Sequence, residues 1–171
     1  MSFFRRSTKG FTLVEMILYV SLCSIMLLVI STMLSYLLSS RVKSQAITEV
    51  NQQGFQIMYS ITQTIRNGRS IQVPSLGTSS STLSLTVANT LLNPTVFSVS
   101  SSTFFIQEGG KAPIALTNSR VKASSLVFQN ISSSSSSEKV LRVSFVLDAV
   151  NPEGRGEYSF TKTFSGSATL R

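Results

Sequence analysis

Histidine is missing from this 171-residue chain, and with it the commonest general base and metal ligand. There is one cysteine, Cys23, so no intramolecular disulfide can form and an exported domain must rely on its core. That thiol lies in an apolar run, where it is a poor nucleophile. Serines abound, but none sits in Gly-x-Ser-x-Gly and no histidine exists to activate one. A phosphate-cradling glycine loop is also lacking. These absences exclude the usual enzyme classes, and nothing calls for a cofactor. Proline does not occur before Pro74, so nothing breaks a helix in the first third of the chain.

Acidic residues are scarce, seven against fifteen Lys and Arg, for a net charge of +8. Without Arg5, Arg6 and Lys9 the cations fall to twelve and the net charge to +5. They are spread without a block, which describes a soluble surface of mild basic bias. The pairs Arg66/Arg69 and Arg120/Lys122 are small for a nucleic-acid footprint. Phe104, Phe105, Phe128, Phe145, Phe160 and Phe164 fall in strand patterns and are expected in the core, not on a base-stacking surface. Asp148, Asn151, Glu153 and Glu157 offer hard oxygen ligands for Ca²⁺. Their spacing fits no established loop and Arg155 sits among them, so a solvated hairpin is the expectation and no metal site is assigned.

What the chain does have is a long hydrophobic run, Phe11–Leu38, behind a basic leader. Residues Met16–Leu38 carry no charge, more than the roughly 20 residues that span a bilayer as a helix. A secretory signal peptide would have a shorter apolar core and a small-residue cleavage site after it. A plain anchor, its cations held inside, fits the length but leaves Glu15 unexplained, since a carboxylate deep in lipid costs about 2–3 kcal/mol or more.

The junction Lys9-Gly10-Phe11-Thr12-Leu13-Val14-Glu15 resembles the cleavage and methylation signal of type IV prepilins and pseudopilins. The resemblance implies cleavage between Gly10 and Phe11 by an inner-membrane prepilin peptidase, before which the leader cations Arg5, Arg6 and Lys9 hold the segment in the membrane with its N-terminus inside. It further implies N-methylation of Phe11. The new amine would lie four residues before Glu15, whose carboxylate would neutralise it, most usefully on a neighbouring subunit. Ser21, Cys23, Ser24, Ser31, Thr32 and Ser35 punctuate the run; in lipid such residues allow close helix approach and bond back to their own helix's carbonyls.

Beyond Arg41 the residues Ile47, Val50, Gly54, Ile57/Met58, Ile61 and Ile65 recur at helical spacing, with Gln45, Glu49, Gln52, Gln56 and Gln63 opposite. Asn67-Gly68 is a stop signal. The pattern then turns to period two. Strands are expected at Ser70–Val73, Thr82–Val87, Thr95–Val99, Thr103–Gln107, Leu126–Ile131, Val140–Val150 and Glu157–Phe164. Glu108-Gly109-Gly110-Lys111 reads as a hairpin turn leading to Ile114-Ala115-Leu116. Pro152 to Gly156 reads as a turn and Ser132–Ser137 as a flexible loop. Looser alternation in Val140–Leu147 suggests a central strand buried on both faces.

The expected fold is α+β and pilin-like: a long N-terminal helix, its first half transmembrane, packed on a mainly antiparallel sheet. The domains are a cleaved leader (1–10), an assembly helix (11–39), and a helix continuation plus β-rich domain (40–171). Layout resembles, more narrowly, the J-type minor pseudopilins. The implied function is a minor pilin or pseudopilin of a type IV pilus-like or type II secretion-like filament, not an enzyme. Its partners would be the prepilin peptidase, other pilins, the inner-membrane assembly platform and membrane lipid. It would cross the cytoplasmic membrane once, N-terminus inside. The alternatives are a filament-displayed binding module for DNA uptake or adhesion, and an unprocessed single-pass membrane protein.

Overall fold

The computed structural model describes residues 10–134, 138–151, 154, 156 and 159–170. The chain divides into two compact units, Met1–Arg41 and Val42–Arg171. A single helix, α1, runs Leu13–Arg66, and its apolar N-terminal stretch is long enough to cross a membrane. No proline interrupts it, and its last amide bond leads straight to Asn67 (Asn67 N–H to the Gln63 carbonyl, 3.1 Å).

Among the described residues nine strands follow: β1 (Gly68–Val73), β2 (Ser79–Ser80), β3 (Leu83–Val87), β4 (Thr95–Ser100), β5 (Thr103–Glu108), β6 (Ile114–Ala115), β7 (Val121–Asn130), β8 (Val140–Ala149) and β9 (Thr161–Thr169). They form two antiparallel sheets, ordered β1-β3-β4-β5-β6 and β2-β7-β8-β9. This is the α+β, pilin-like arrangement expected, with α1 packed on antiparallel sheets.

The core begins at Val50. There Val50, Gly54, Ile57, Ile61 and Ile65 turn inward at three- and four-residue steps and meet Leu83, Leu85, Phe97, Phe104, Phe128, Leu141, Phe145 and Leu147. A file of rings joins the two sheets: Phe97 to Phe104 (6.4 Å), Phe104 to Phe145 (5.6 Å), then Phe145 stacked on Phe164 (5.4 Å, 18°). Burial of Phe104, Phe128, Phe145 and Phe164 matches the core role read from the strand pattern, while Phe105 and Phe160 are half-buried. Gly54 lets the helix press against Phe164, because a Cβ there would fall less than 3.0 Å from three carbons of that ring.

Several details differ from the sequence reading. β8 is central in its sheet but not buried on both faces: Leu141, Val143, Phe145 and Leu147 point inward, while Arg142 is exposed. β7 starts at Val121 instead of Leu126, because a bulge with Ser125 at φ 50° breaks the two-residue alternation between Ser124 and Val127. β9 extends to Thr169, since Gly166 and Ala168 are too small to read as strand yet seat Met58 and the core. The short β2 and a 3₁₀ turn at Thr90–Leu92 were not expected. The hairpin at Glu108–Lys111 is present, with Gly109 at φ 60° and the Lys111 amide donating to the Glu108 carbonyl at 3.2 Å. Of the Pro152–Gly156 turn only Gly154 and Gly156 fall within the described residues; Ser135–Ser137, Glu157 and Arg171 also lie outside them.

Candidate functional site: the N-terminal junction

The residues singled out by sequence gather at the start of α1. Arg5, Arg6 and Lys9 lie outside the described residues. Gly10 is exposed with nothing within 4 Å of where a Cβ would stand, and Phe11 is 70% exposed. Such open backbone is what a peptidase must thread through its active site. The Phe11 ring meets Tyr19 edge-on at 6.2 Å.

Thr12 is the residue the sequence reading passed over. Its Oγ1 accepts the Glu15 amide at 3.3 Å, and its carbonyl accepts the Met16 amide at 3.2 Å. Thr12 is therefore the N-cap of α1, and Thr12-Leu13-Val14-Glu15 has the capping-box spacing of a threonine followed three residues later by a glutamate. That S/T-x-x-E spacing was the signal available in the sequence. It gives Glu15 a second benefit, since a carboxylate in the first turn opposes the positive end of the helix dipole. The Glu15 carboxylate itself has no partner among the described residues. It stays available to a cation from elsewhere.

Four hydroxyls of the apolar run are satisfied within the helix. Ser21 donates to the Leu18 carbonyl (2.8 Å), Ser24 to Val20 (2.8 Å), Thr32 to Val29 (2.8 Å) and Ser35 to Ser31 (3.0 Å). Each bond removes a polar group that hydrocarbon would otherwise penalise. The side chains of this run are exposed in the isolated chain, Met16 through Leu38 included, as is Cys23.

The second unit gathers no comparable chemistry. Asp148 accepts hydrogen bonds from Thr161 Oγ1 (2.6 Å) and Ser124 Oγ (3.2 Å), which makes it a cross-strand tie. Glu153 and Glu157, the other carboxylates weighed for calcium, lie outside the described residues. Arg66, Arg69, Arg120 and Lys122 are exposed. Arg120 lines an open groove of about 650 Å³ with Val42, Thr48 and Glu49. There Glu49 is held by Gln53 Nε2 (3.0 Å) and Asn118 Nδ2, while the Asn118 amide donates to Gln53 Oε1 (3.1 Å). Glu49 thus fastens α1 to the loop before β7; it is not simply part of a solvated polar face.

Residues 5–31 match the family model described as the prokaryotic N-terminal methylation motif. No curated protein and no solved structure matches the chain. The motif together with the long apolar helix fits a type IV pilin-like protein. It implies processing by a prepilin peptidase and assembly with other pilins, and it points to a structural subunit, not an enzyme. The apolar helix near the N-terminus is consistent with a membrane anchor.

Proposed function

We propose that this chain is a minor pilin or pseudopilin, made as a membrane precursor and drawn into a filament after its leader is removed. Residues 1–10 are the leader, 11–39 the transmembrane and assembly helix, and 40–171 the helix continuation with the displayed domain. The precursor sits in the cytoplasmic membrane with Arg5, Arg6 and Lys9 inside. Cleavage between Gly10 and Phe11 frees an amine that is then methylated. Glu15 of one subunit takes the Phe11 amine of the next, so that two groups costly in lipid neutralise each other in one contact.

The observation that carries this reading is a single carboxylate in the first turn of a membrane-length helix, unpartnered among the described residues and inside the methylation motif. In an anchor alone that carboxylate only opposes the helix dipole, about 0.3–1 kcal/mol against a cost in lipid of about 2–3 kcal/mol. The experiment is the intact mass of the N-terminal peptide with and without co-expressed prepilin peptidase. A product beginning at Phe11 with one added methyl supports the pathway. An unchanged Met1 terminus under active peptidase refutes it and leaves a membrane-anchored β domain.

A further inference from the structure

β9 ends its sheet, and its far side has no neighbouring strand among the described residues. Just before it the Phe160 carbonyl accepts from the Ala149 amide at 2.8 Å, and just after it the Leu170 amide donates to the Lys139 carbonyl at 2.9 Å. Both residues are even-numbered, and the β8–β9 register is unbroken between them. Because antiparallel bonding alternates, the even positions bond to β8. Thr161, Thr163, Ser165, Ser167 and Thr169 therefore aim their amides and carbonyls at the open edge. All five are exposed.

Proteins usually blunt such an edge with proline, bulges or outward charge. β9 has no proline and no bulge, and its one charge, Lys162, turns back onto the helix. Lys162 Nζ donates to Asn51 Oδ1 at 2.6 Å and lies 5.4 Å and 5.2 Å from the ring centres of Phe55 and Phe164. No carboxylate among the described residues forms an ion pair with it. Beside the edge α1 shows two large apolar side chains, Phe55 (63% exposed, edge-on to Phe164 at 5.8 Å) and, one turn on, Tyr59 (68% exposed).

From these features we infer that the free edge of β9 is a strand-addition site. Its occupant is an extended segment of another protein with apolar residues at alternate positions and one carboxylate. The backbone pairs with the five odd residues, the apolar side chains cover Phe55 and Tyr59, and the carboxylate meets Lys162. A second copy of this chain is a poor occupant, because none of its edge strands β1, β2, β6 and β9 contains Asp or Glu. The site does not depend on N-terminal processing.

The test uses the full chain in detergent micelles and a fluorescent nonapeptide alternating Thr and Val with one central Glu. Binding should slow amide exchange at Thr163, Ser165 and Ser167. Ser165→Pro removes an edge-facing N–H while leaving the bonds to β8, and should weaken binding about tenfold. Replacing the peptide's Glu by Lys should weaken it about fivefold. Tyr59→Ser, at an exposed helix position, should also weaken it and decides the matter if the proline variant fails to fold. The inference is overturned if saturating peptide leaves the three amides unprotected, or if both variants bind like the parent. It is equally overturned if the chain alone forms a dimer that already protects those amides.

Discussion

Gly54 is where the packing of helix against sheet is most exacting, and Gly54→Ala measures it. In a free helix the change would help by about 1 kcal/mol, because alanine is the better helix former. Here the new methyl would fall less than 3.0 Å from three carbons of the Phe164 ring, against an ordinary contact of about 3.5–4.0 Å. The ring has little room to retreat, since Phe145 stacks on it at 5.4 Å and Phe55 meets it at 5.8 Å. Overpacking of this kind costs about 1–3 kcal/mol. Taking the upper end for a confined ring and subtracting the propensity gain leaves a net loss of about 2 kcal/mol, or roughly 6–10 °C in Tm for a domain of this size. Among the described residues every buried hydrophobic one lies between Val50 and Leu170, so a chain starting at Val42 keeps that core for thermal unfolding by circular dichroism. In a Phe164→Leu background the far ring carbons are gone, and the same Gly54→Ala change should become neutral or stabilising. An unchanged or higher Tm for the single variant refutes the packing argument. So does an equal loss in both backgrounds, because the coupling between the two sites would then be absent.

Other predictions follow from separate parts of the chain. Glu15→Ala should leave cleavage after Gly10 intact by mass spectrometry while abolishing or slowing incorporation in a co-assembly assay; normal incorporation would remove the amine-pairing role. Ser101 and Ser102 form the β4–β5 turn at φ 50° and 60°, where Asn-Gly is preferred, so replacing both should raise stability by about 1 kcal/mol in a denaturant titration. Asn118→Ala removes the side-chain bond to Glu49 and should cost about 1 kcal/mol, with faster amide exchange in the loop before β7.

The helix was legible because burial imposes a period: Val50, Gly54, Ile57, Ile61 and Ile65 turn inward as their spacing requires. The strands were legible where buried and less buried residues alternate, as in β4 and β8. Legibility failed where a local conformation broke the alternation, at the Ser125 bulge, and where close packing selected small residues, at Gly166 and Ala168. Those residues look like loop in a pattern of hydrophobicity, though they are strand because a helix lies against them. At the N-terminal junction Gly10, Phe11 and Glu15 stood out by their types and order, whereas Thr12 did not, since its role lies in one backbone hydrogen bond. On the polar face of the helix Gln45, Gln52, Gln56 and Gln63 are exposed as read, and only Glu49 departs from the reading. Glu49 is half-buried because Asn118, 69 residues away, holds its carboxylate.

The last strand of the chain lies against the helix that begins it: Lys162 reaches Asn51, Phe164 fills the notch at Gly54, and Gly166 seats Met58. A polypeptide emerging N-terminus first cannot complete this core until β9 arrives. Its strands wait with one wall missing, and a chain that stops short of Phe160 leaves Phe145 facing water. The edge of β9 exists only once that closure has occurred. Any machine that grips that edge handles closed domains alone.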